Sequence, residues 1–175
     1  MSIVVYETSI GDLGIEVHDE ALTAVYFPND TLFAAPKGAN GRNVRSSYTR
    51  EMPDNIVTEG ETETHKEAIA QIRAYLRGES QQFTVPLRLI GTDFQRKCWQ
   101  ALLDIPYGQT ASYQDIAIAV GSPKAVRAVG GANAANPIPI IVPCHRVIGK
   151  NGKLTGFGGG LTLKEKLLGI ESVVR

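Results

Sequence analysis

The sequence predicts an α/β (α+β) protein, with a small antiparallel β-sheet at its start and a mainly helical region after it. Three runs of strand-favouring residues, at 3–6, 14–18 and 22–27, are separated by turn residues at Gly11-Asp12 and Asp19-Glu20. Apolar residues then recur at helical spacing through much of the remaining chain. With 175 residues, 43% of them hydrophobic, the chain can form a real core in one large domain or two small ones.

A change in composition at Gly91 indicates a boundary between two domains, residues 1–90 and residues 91–175. Within the first domain, residues 28–61 are polar, with Gly, Asn, Ser and Pro scattered through them, and they predict a long connection. One further strand is expected within this connection, near Ile56-Val57. The first domain therefore combines a short sheet with a long loop.

Apolar periodicity, together with helix start and stop signals, predicts five helices. Two of them are joined by a very short turn and predict a helix-turn-helix. Ser112-x-x-Asp115 resembles a capping box at the start of the first, and Gly121 ends it. Ser122 is predicted to cap the second, with Pro123 at its first position. The other three helices are expected at residues 63–77, 93–105 and 161–171.

Composition excludes several classes of protein. The chain has no basic and apolar leader and no apolar run of membrane-spanning length, so we expect a cytoplasmic protein. Its two cysteines, Cys98 and Cys144, cannot form a disulfide framework and are too few for a zinc site built from cysteines alone. Cys98 lies on an apolar helical stripe and is expected in the core. We expect no metal ion and no cofactor.

Charge is distributed unevenly although the formal net charge is zero. Residues 1–92 contain 8 Lys and Arg against 13 Asp and Glu, whereas residues 93–175 contain 10 against 5. Contacts with phosphates need local positive charge rather than a basic protein as a whole. Either the second half binds nucleic acid or the unevenness has no functional meaning, and charge alone leaves both interpretations open.

The segment Ile140-Ile141-Val142-Pro143-Cys144-His145-Arg146-Val147 is the most informative part of the sequence. Pro143 interrupts any strand ladder, so the chain must turn where the Cys144 thiol lies. His145 and Arg146 are both able to favour the thiolate, which is the reactive form. Adjacent residues on a strand point to opposite faces, so Cys144 and His145 can cooperate only through non-strand backbone or a bridging water. Taken alone, the segment also fits a structural cysteine beside an unrelated histidine.

Pro143-Cys144-His145-Arg146-Val147 resembles the acceptor-site signature of the methylated-DNA–protein-cysteine methyltransferases, also called O6-alkylguanine-DNA alkyltransferases. The resemblance covers essentially all of residues 91–171, in order and with similar spacing. Its further motifs are Gly91-Thr92-x-Phe94-Gln95, Trp99, Ile105-Pro106-Tyr107-Gly108, Ser112-Tyr113, Arg127-Ala128-Val129-Gly130, Asn136-Pro137 and Gly156-Phe157-Gly158-Gly159-Gly160. The first ninety residues match loosely. For them the resemblance implies an RNase H-like domain, followed by a helical C-terminal domain with a winged-helix-like helix-turn-helix.

The resemblance implies direct reversal of DNA damage, in which an alkyl group moves from O6-alkylguanine to Cys144 as the nucleophile. The thioether product is stable, so each molecule acts once. His145 is implied as a general base acting through a water, oriented by Glu171; read without the family, Glu171 is a surface carboxylate. Asn136 is implied as a hinge between the active site and the second helix of the helix-turn-helix, which is its recognition helix. Its local sequence agrees, because Asn before proline is a turn residue.

The family resemblance also implies that the second helix of the helix-turn-helix lies in the minor groove, whereas most such motifs use the major groove. Arg127 would fill the stack left by a flipped guanine. Tyr113 would press on the flanking phosphate and donate a proton or hydrogen bond to the departing guanine. Small residues on this helix fit either close approach to DNA or tight packing inside the protein, and both stay open. The residues expected at the DNA are Ser112, Tyr113, Ala125, Arg127, Ala128, Gly130 and Gly131.

The substrate pocket implied by the resemblance comprises Trp99, Val147, Phe157, Gly158 and Gly159, with backbone carbonyls of Cys144 and Val147 facing the guanine edge. Phe157 stands where many members have Tyr, and Gly158 stands where some have Ser. Without those hydroxyls, only backbone N–H groups of the two glycines contact the lesion oxygen. We therefore expect activity to survive with an altered preference for alkyl size.

Three other classes of protein fit parts of the pattern: a thiol hydrolase, a non-catalytic helix-turn-helix DNA binder, and an alkyltransferase-like protein that recognises lesions without repairing them. A hydrolase would turn over repeatedly, and proteins of the third class lack the acceptor cysteine that is present here as Cys144. The resemblance implies a monomer acting on double-stranded alkylated DNA, with no obligate protein partner and no membrane. It leaves open the preferred adduct, activity on O4-alkylthymine and cooperation between molecules on DNA.

Overall fold

The computed structural model describes residues 2–27, 60–154, 157 and 160–171. Its N-terminal sheet is the expected antiparallel one, with strands β1 (Ser2–Tyr6), β2 (Leu13–His18) and β3 (Ala21–Tyr26) adjacent in sequence order. Asp19 and Glu20 join β2 to β3 with φ values of 47° and 64°. Positive φ at both turn residues matches the twist of a tight hairpin, so this turn sets the strand register. The strand predicted near Ile56-Val57 and nearly all of the predicted connection lie outside the described residues.

Helix α1 (Glu63–Leu76) covers one face of this sheet through Ala68, Ile69, Ile72 and Tyr75. The Thr62 hydroxyl caps its first turn, and His65 completes the capping box in the place of the usual Glu or Gln. Gly78 ends the helix as predicted, with a φ of 73° and its N–H bound to the Tyr75 carbonyl. The sheet and α1 together form the N-terminal part of the core.

Three helices follow: α2 (Asp93–Leu103), α3 (Tyr113–Ala119) and α4 (Val126–Ala134). The predicted capping box at Ser112 and Asp115 is present at the start of α3. The predicted start of α4 is wrong, because Ser122 and Pro123 belong to a turn closed by a 2.8 Å bond from the Ala125 N–H to the Ser122 carbonyl. Proline at the second position of a turn is as favourable as proline at the start of a helix, and here the turn is formed.

The segment after α4 forms the 3₁₀ turn Cys144–Arg146 and then the short strand β5 (Val147–Ile148). Strand β5 pairs in parallel with β4 (Ala111–Ser112), so the start of the helix-turn-helix is tied to the cysteine segment. Helix α5 (Leu161–Ile170) packs against the 3₁₀ turn. This arrangement places Cys144 between the helix-turn-helix and α5.

One hydrophobic core cluster contains buried residues from both predicted domains, including Leu22, Ile72, Leu102 and Leu167. Cys98 is buried in it, as predicted. The combination of small sheets and helices confirms the α+β class, while the domain boundary near residue 90 stays a prediction. Within the described ranges, no helix is long and apolar enough to cross a membrane. The same residues contain no group of three or more His, Cys, Asp or Glu side chains placed to hold a metal ion.

Candidate active site

Cys144 lies in the 3₁₀ turn that directly follows Pro143, so it and His145 occupy the non-strand backbone that their cooperation requires. The side chain is 5% exposed. Four residues earlier, Ile140 has a φ of 74°, a conformation that β-branched residues rarely adopt. Such strain persists only where the surroundings hold a residue in place, and Ile140 is fully buried. The backbone leading to the thiol is therefore firmly positioned.

Burial raises the pKa of the Cys144 thiol to about 11, so the thiol is protonated at neutral pH. Three interactions act in the opposite direction: a hydrogen bond with Asn136, the positive charge of Lys164, and backbone hydrogen bonds within the turn. The thiolate is the nucleophilic form of cysteine. A reaction at Cys144 therefore needs a base that removes the thiol proton.

His145 is fully buried, and its Nε2 atom lies 2.6 Å from Oε2 of Glu171. A carboxylate can only accept a hydrogen bond, so Nε2 carries the proton and Nδ1 is an acceptor. Nδ1 is buried and has no hydrogen-bond partner within the part of the chain that the structure describes. Burial lowers the pKa of His145, although Glu171 acts to raise it. The imidazole is therefore a neutral base whose accepting nitrogen is available.

Glu171, at the end of α5, accepts hydrogen bonds from four donors. Oε1 accepts from Arg146 Nε at 2.7 Å and from the Gly108 N–H at 3.2 Å, while Oε2 accepts from His145 and from the Tyr75 hydroxyl. Burial alone raises the pKa of the Glu171 carboxyl, but these bonds, led by those from His145 and Arg146, hold it at about 2. Glu171 is thus a buried, ionised group rather than a surface carboxylate, and it fixes the His145 ring.

Two cations lie near the site, and their roles differ from the expectation. The sequence suggests that Arg146 favours the thiolate, but its guanidinium is committed to Glu171 and, through Nη1, to the Ile105 carbonyl at 2.8 Å. The cation that acts on Cys144 is Lys164, which is fully buried and whose Nζ lies 2.5 Å from the Val147 carbonyl oxygen. Lys164 therefore supplies the positive charge near the thiol that the sequence suggests for Arg146.

Asn136 connects the end of α4 to the cysteine segment. Its Nδ2 donates to the Val142 carbonyl at 2.9 Å, and its Oδ1 accepts from the Ile138 N–H at 3.0 Å. The next residue, Pro137, accepts a 2.9 Å bond from the Val25 N–H of β3. One side chain thus bonds two backbone groups of the segment that leads to Cys144, and the hinge role of Asn136 stays a prediction.

The residues predicted for the pocket are only partly brought together. The Val147 carbonyl is bound to Lys164, and the Phe157 ring lies 6.5 Å from His145, edge to face. Trp99 is 1% exposed, and its indole N–H donates to the Ala132 carbonyl at 2.8 Å, so in this structure it joins α2 to α4 within the core. A pocket role for Trp99 stays a prediction. Gly158 and Gly159 lie outside the described residues.

Helix α4 presents several of the predicted DNA-facing residues on an exposed surface. Arg127, Ala128 and Gly131 are exposed, and Gly130 is half-buried. A Cβ atom added at Gly130 or Gly131 would meet nothing within 4 Å. Internal packing therefore does not require glycine at these two positions, which disfavours the packing interpretation that the sequence left open for them.

Ser112, Tyr113 and Ala125 lie at the starts of the two helices of the helix-turn-helix and are half-buried. The Ser112 hydroxyl oxygen accepts the Asp115 N–H at 3.0 Å. Since that oxygen is used in the cap, the hydroxyl hydrogen is what Ser112 can offer to a phosphate. Ala125 is the N-cap of α4 and makes no side-chain cap bond.

Three residues of the site have no role in the sequence analysis: Tyr75, Gly108 and Lys164. For Lys164 a signal exists, because it precedes Glu171 by seven residues and helical spacing places both on one face. Gly108 has a φ of 80°, which lets the turn after α2 direct its N–H to Glu171. Tyr75 lies on the apolar face of α1, and periodicity gives no indication that its hydroxyl has a partner.

Comparison with protein families matches residues 93–173 to the DNA-binding domain of 6-O-methylguanine DNA methyltransferase. The chain is 44% identical, over 171 residues and 98% of both proteins, to the methylated-DNA–protein-cysteine methyltransferase of Methanosarcina acetivorans. It is 60% identical over 104 residues to the Mycobacterium tuberculosis protein of that name, an alignment spanning 59% of this chain and 63% of that protein. The chain therefore belongs to the methylated-DNA–protein-cysteine methyltransferase family.

Solved structures agree with this assignment. The fold is similar to that of Mycobacterium tuberculosis OGT in complex with DNA, with a TM-score of 0.75, 41% identity and coverage of 98% of this chain and 92% of that one. An O6-methylguanine DNA methyltransferase from Methanococcus jannaschii gives a TM-score of 0.66 at 27% identity, covering 98% of this chain and 95% of that chain. The α+β fold is thus shared along nearly the whole length of both chains.

Proposed function

We propose that this protein repairs O6-alkylguanine in double-stranded DNA by moving the alkyl group onto Cys144. The observation that carries the proposal is the buried arrangement of Cys144, His145 and Glu171, in which Nδ1 of His145 is an unpartnered acceptor within the described structure. In this scheme His145 takes the thiol proton through a bridging water, and Glu171 stabilises the imidazolium that forms. The name of the Methanosarcina acetivorans relative supports the same chemistry, and the DNA complex of Mycobacterium tuberculosis OGT supports binding to DNA.

The transfer itself is a single displacement. The Cys144 sulfur attacks the alkyl carbon, and the S–C bond forms as the C–O6 bond breaks. The electron pair of the broken bond leaves with the guanine, whose C6–O6 carbonyl is restored as a ring nitrogen takes a proton from the Tyr113 hydroxyl. The proton held by His145 returns to Tyr113 through solvent, so protons balance. Because a thioether offers water no good leaving group, Cys144 is not regenerated and each molecule acts once.

The burial of the acceptor supports base flipping as part of the proposal. Cys144 is 5% exposed, and a guanine stacked in a duplex cannot bring its alkyl group to the sulfur. Extruding the base costs roughly a few kcal/mol. In our proposal α4 enters the minor groove, the exposed Arg127 fills the vacated stack, and the small Ala128 and Gly131 allow close approach. The excess of Lys and Arg after residue 92 supplies the attraction to phosphates.

Recognition of the flipped base is proposed to involve the Val147 carbonyl, Phe157 and the N–H groups of Gly158 and Gly159. The edge-to-face contact between the Phe157 ring and His145 supports this assignment. Phe157 and Gly158 lack the hydroxyls found in other members of the family, so alkyl size preference is the property expected to differ. The same displacement applies to O4-alkylthymine, which we propose as a second substrate.

The test is to incubate the protein with a duplex that contains one O6-methylguanine, and then to measure its intact mass and map the modified peptide. We expect one methyl group per molecule, on Cys144, and no transfer with Cys144→Ser. Cys98→Ser is the matched control and should react normally, because Cys98 is a buried core residue and is not among the side chains that contact His145 or Glu171. Repeated turnover without modification, or binding alone, contradicts the proposal. Parallel duplexes with O4-methylthymine and with a bulkier guanine adduct test substrate range.

A further inference from the structure

Tyr75 brings a hydroxyl from helix α1 into the active site. Its side chain is 1% exposed, and the hydroxyl donates to Oε2 of Glu171, the same oxygen that accepts from His145. The Tyr75 oxygen also lies 3.3 Å from Nε2 of His145. Ring contacts with Phe83 at 5.5 Å and Tyr107 at 6.2 Å between centroids fix the position of the phenol.

We propose that Tyr75 is a positioning residue for alkyl transfer: its hydroxyl fixes the Glu171 carboxylate, and through it the ring of His145, for proton transfer from Cys144. The inference rests on the proposed function, because it concerns the same reaction. It requires no contact between Tyr75 and DNA. In this proposal the N-terminal half of the chain supplies a side chain that positions Glu171 and His145, in addition to packing against the C-terminal half.

Two donors share the negative charge of one Glu171 oxygen. Tyr75 and His145 both donate to Oε2 of Glu171, so the phenol takes up part of the negative charge that would otherwise act on the imidazole. Burial, and then Glu171, raise the pKa of Tyr75, so the phenol keeps its proton and remains a donor. Loss of this donor leaves the charge to act more strongly on His145, which raises the pKa of His145.

Other groups at the site do not depend on this hydroxyl. Among the described residues, Arg146 and Lys164 act to lower the pKa of His145, and Tyr107 and Cys144 are further titratable neighbours of the site. All four are retained when Tyr75 is replaced by phenylalanine. A purely structural role for the hydroxyl would lower the reaction rate equally at every pH. A positioning role shifts the pH at which the rate falls on the acid side of the profile. The experiment measures that shift.

The experiment compares the full chain with Tyr75→Phe and with Tyr6→Phe. Tyr6 is a matched control, because its hydroxyl donates to the Glu61 carboxylate at 2.7 Å, outside the site. Two rates are measured from about pH 5 to about pH 9: methyl transfer from O6-methylguanine duplex, and alkylation of Cys144 by iodoacetamide, followed by peptide mapping. We expect Tyr75→Phe to move the acid limb of both profiles upward by about half a pH unit, and Tyr6→Phe to match the unmodified protein.

Superimposed profiles for Tyr75→Phe and the unmodified protein overturn the proposal, and so does a uniform loss at every pH. Replacement of Tyr75 by 3-fluorotyrosine keeps its packing and makes it a stronger donor, so it serves where the phenylalanine variant does not fold. That replacement should move the acid limb downward, and an unmoved limb overturns the proposal. Iodoacetamide needs no DNA. A shifted iodoacetamide profile in a protein that takes no methyl group from DNA refutes the repair function and leaves the Tyr75 linkage standing.

Discussion

Lys164 holds its ammonium 2.5 Å from the Val147 carbonyl oxygen, and the same ammonium acts on the buried thiol of Cys144. Burial lowers the pKa of Lys164 to about 8, and Cys144 acts to raise it. The ammonium is therefore still mostly charged at neutral pH. A cation at this place favours the thiolate and occupies a carbonyl of the proposed guanine pocket, so one side chain connects nucleophile and pocket.

Replacing Lys164 by methionine should slow alkylation of Cys144 by iodoacetamide about tenfold, on the order of 1.4 kcal/mol. The physical reason is that methionine fills a similar volume but removes the charge that favours the thiolate. Lys166→Met is the matched control, because Lys166 is exposed on the same helix. Equal rates for the two variants would show that the buried charge has no effect on the thiol.

Protonation of Glu171 should make the protein less stable in acid. Its pKa is about 2 in the folded protein against an ordinary value of 4.5, so between these values the unfolded chain binds more protons. The stabilisation is complete above about pH 4.5 and is lost as the pH falls toward 2, by on the order of 2–3 kcal/mol. Urea unfolding at several pH values should show this slope in the unmodified protein and a weaker one in Glu171→Gln. Glu79→Gln, at an exposed ion pair, should keep the slope.

A large side chain at Gly131 should weaken DNA binding without harming the fold. An added Cβ meets nothing within 4 Å there, and replacing a helical glycine stabilises a helix by up to about 1 kcal/mol. We expect Gly131→Gln to melt at the same or a higher temperature and to bind duplex DNA at least about tenfold more weakly. Gly169→Gln changes an exposed glycine of α5 and should retain affinity. Unchanged affinity in Gly131→Gln would place the DNA elsewhere.

Arg127→Ala should reduce methyl transfer from duplex DNA about tenfold or more, because the side chain proposed to occupy the space of the flipped base is then missing. Iodoacetamide alkylation of Cys144 should be unaffected, since Arg127 is exposed on α4. The loss should be smaller when the methylated guanine lies opposite an abasic site, where extrusion is easier. Arg96→Ala removes an exposed arginine of α2 and serves as the control. Equal losses on both duplexes would argue against a role for Arg127 in flipping.

Methylation of Cys144 should lower thermal stability. The side chain is 5% exposed in a packed site, and one extra methyl group in such a place costs about 1–3 kcal/mol. Melting temperatures of the protein before and after complete reaction with methylated duplex, with the DNA removed, measure the effect. Identical temperatures would mean that the site has room for the product.

The elements of the fold with strong local signals could be predicted from the sequence. The three strands and the capping box at Ser112 are where turn and cap residues indicate them. The start of α4 could not be assigned, because Ser-Pro fits both a helix N-terminus and a turn, and the choice depends on tertiary packing. The short parallel pair of β4 and β5 has two residues per strand and leaves no periodic pattern to read.

The residues of the site also divide into those that could be predicted from the sequence and those that could not. Cys144, His145 and Glu171 could be named from the motif and the family resemblance, and the structure places the latter two in direct contact. Tyr75 could not, because a tyrosine on an apolar helix face indicates core and its partner is 96 residues away in sequence. The position of the Arg146 side chain could not be predicted either, because adjacency to Cys144 in sequence does not show that this long side chain turns toward Glu171.

Glu171 accepts hydrogen bonds from α1, from the turn after α2 and from the 3₁₀ turn, and it lies at the C-terminal end of α5. Four stretches of backbone that are distant in the chain are thereby joined at one carboxylate. In terms of hydrogen exchange, such stretches open together rather than one by one, because releasing any one leaves buried charge or buried donors unpaired. We therefore expect the neighbourhood of Cys144 to open as a single cooperative unit that includes helix α1, whose Tyr75 lies 70 residues before His145.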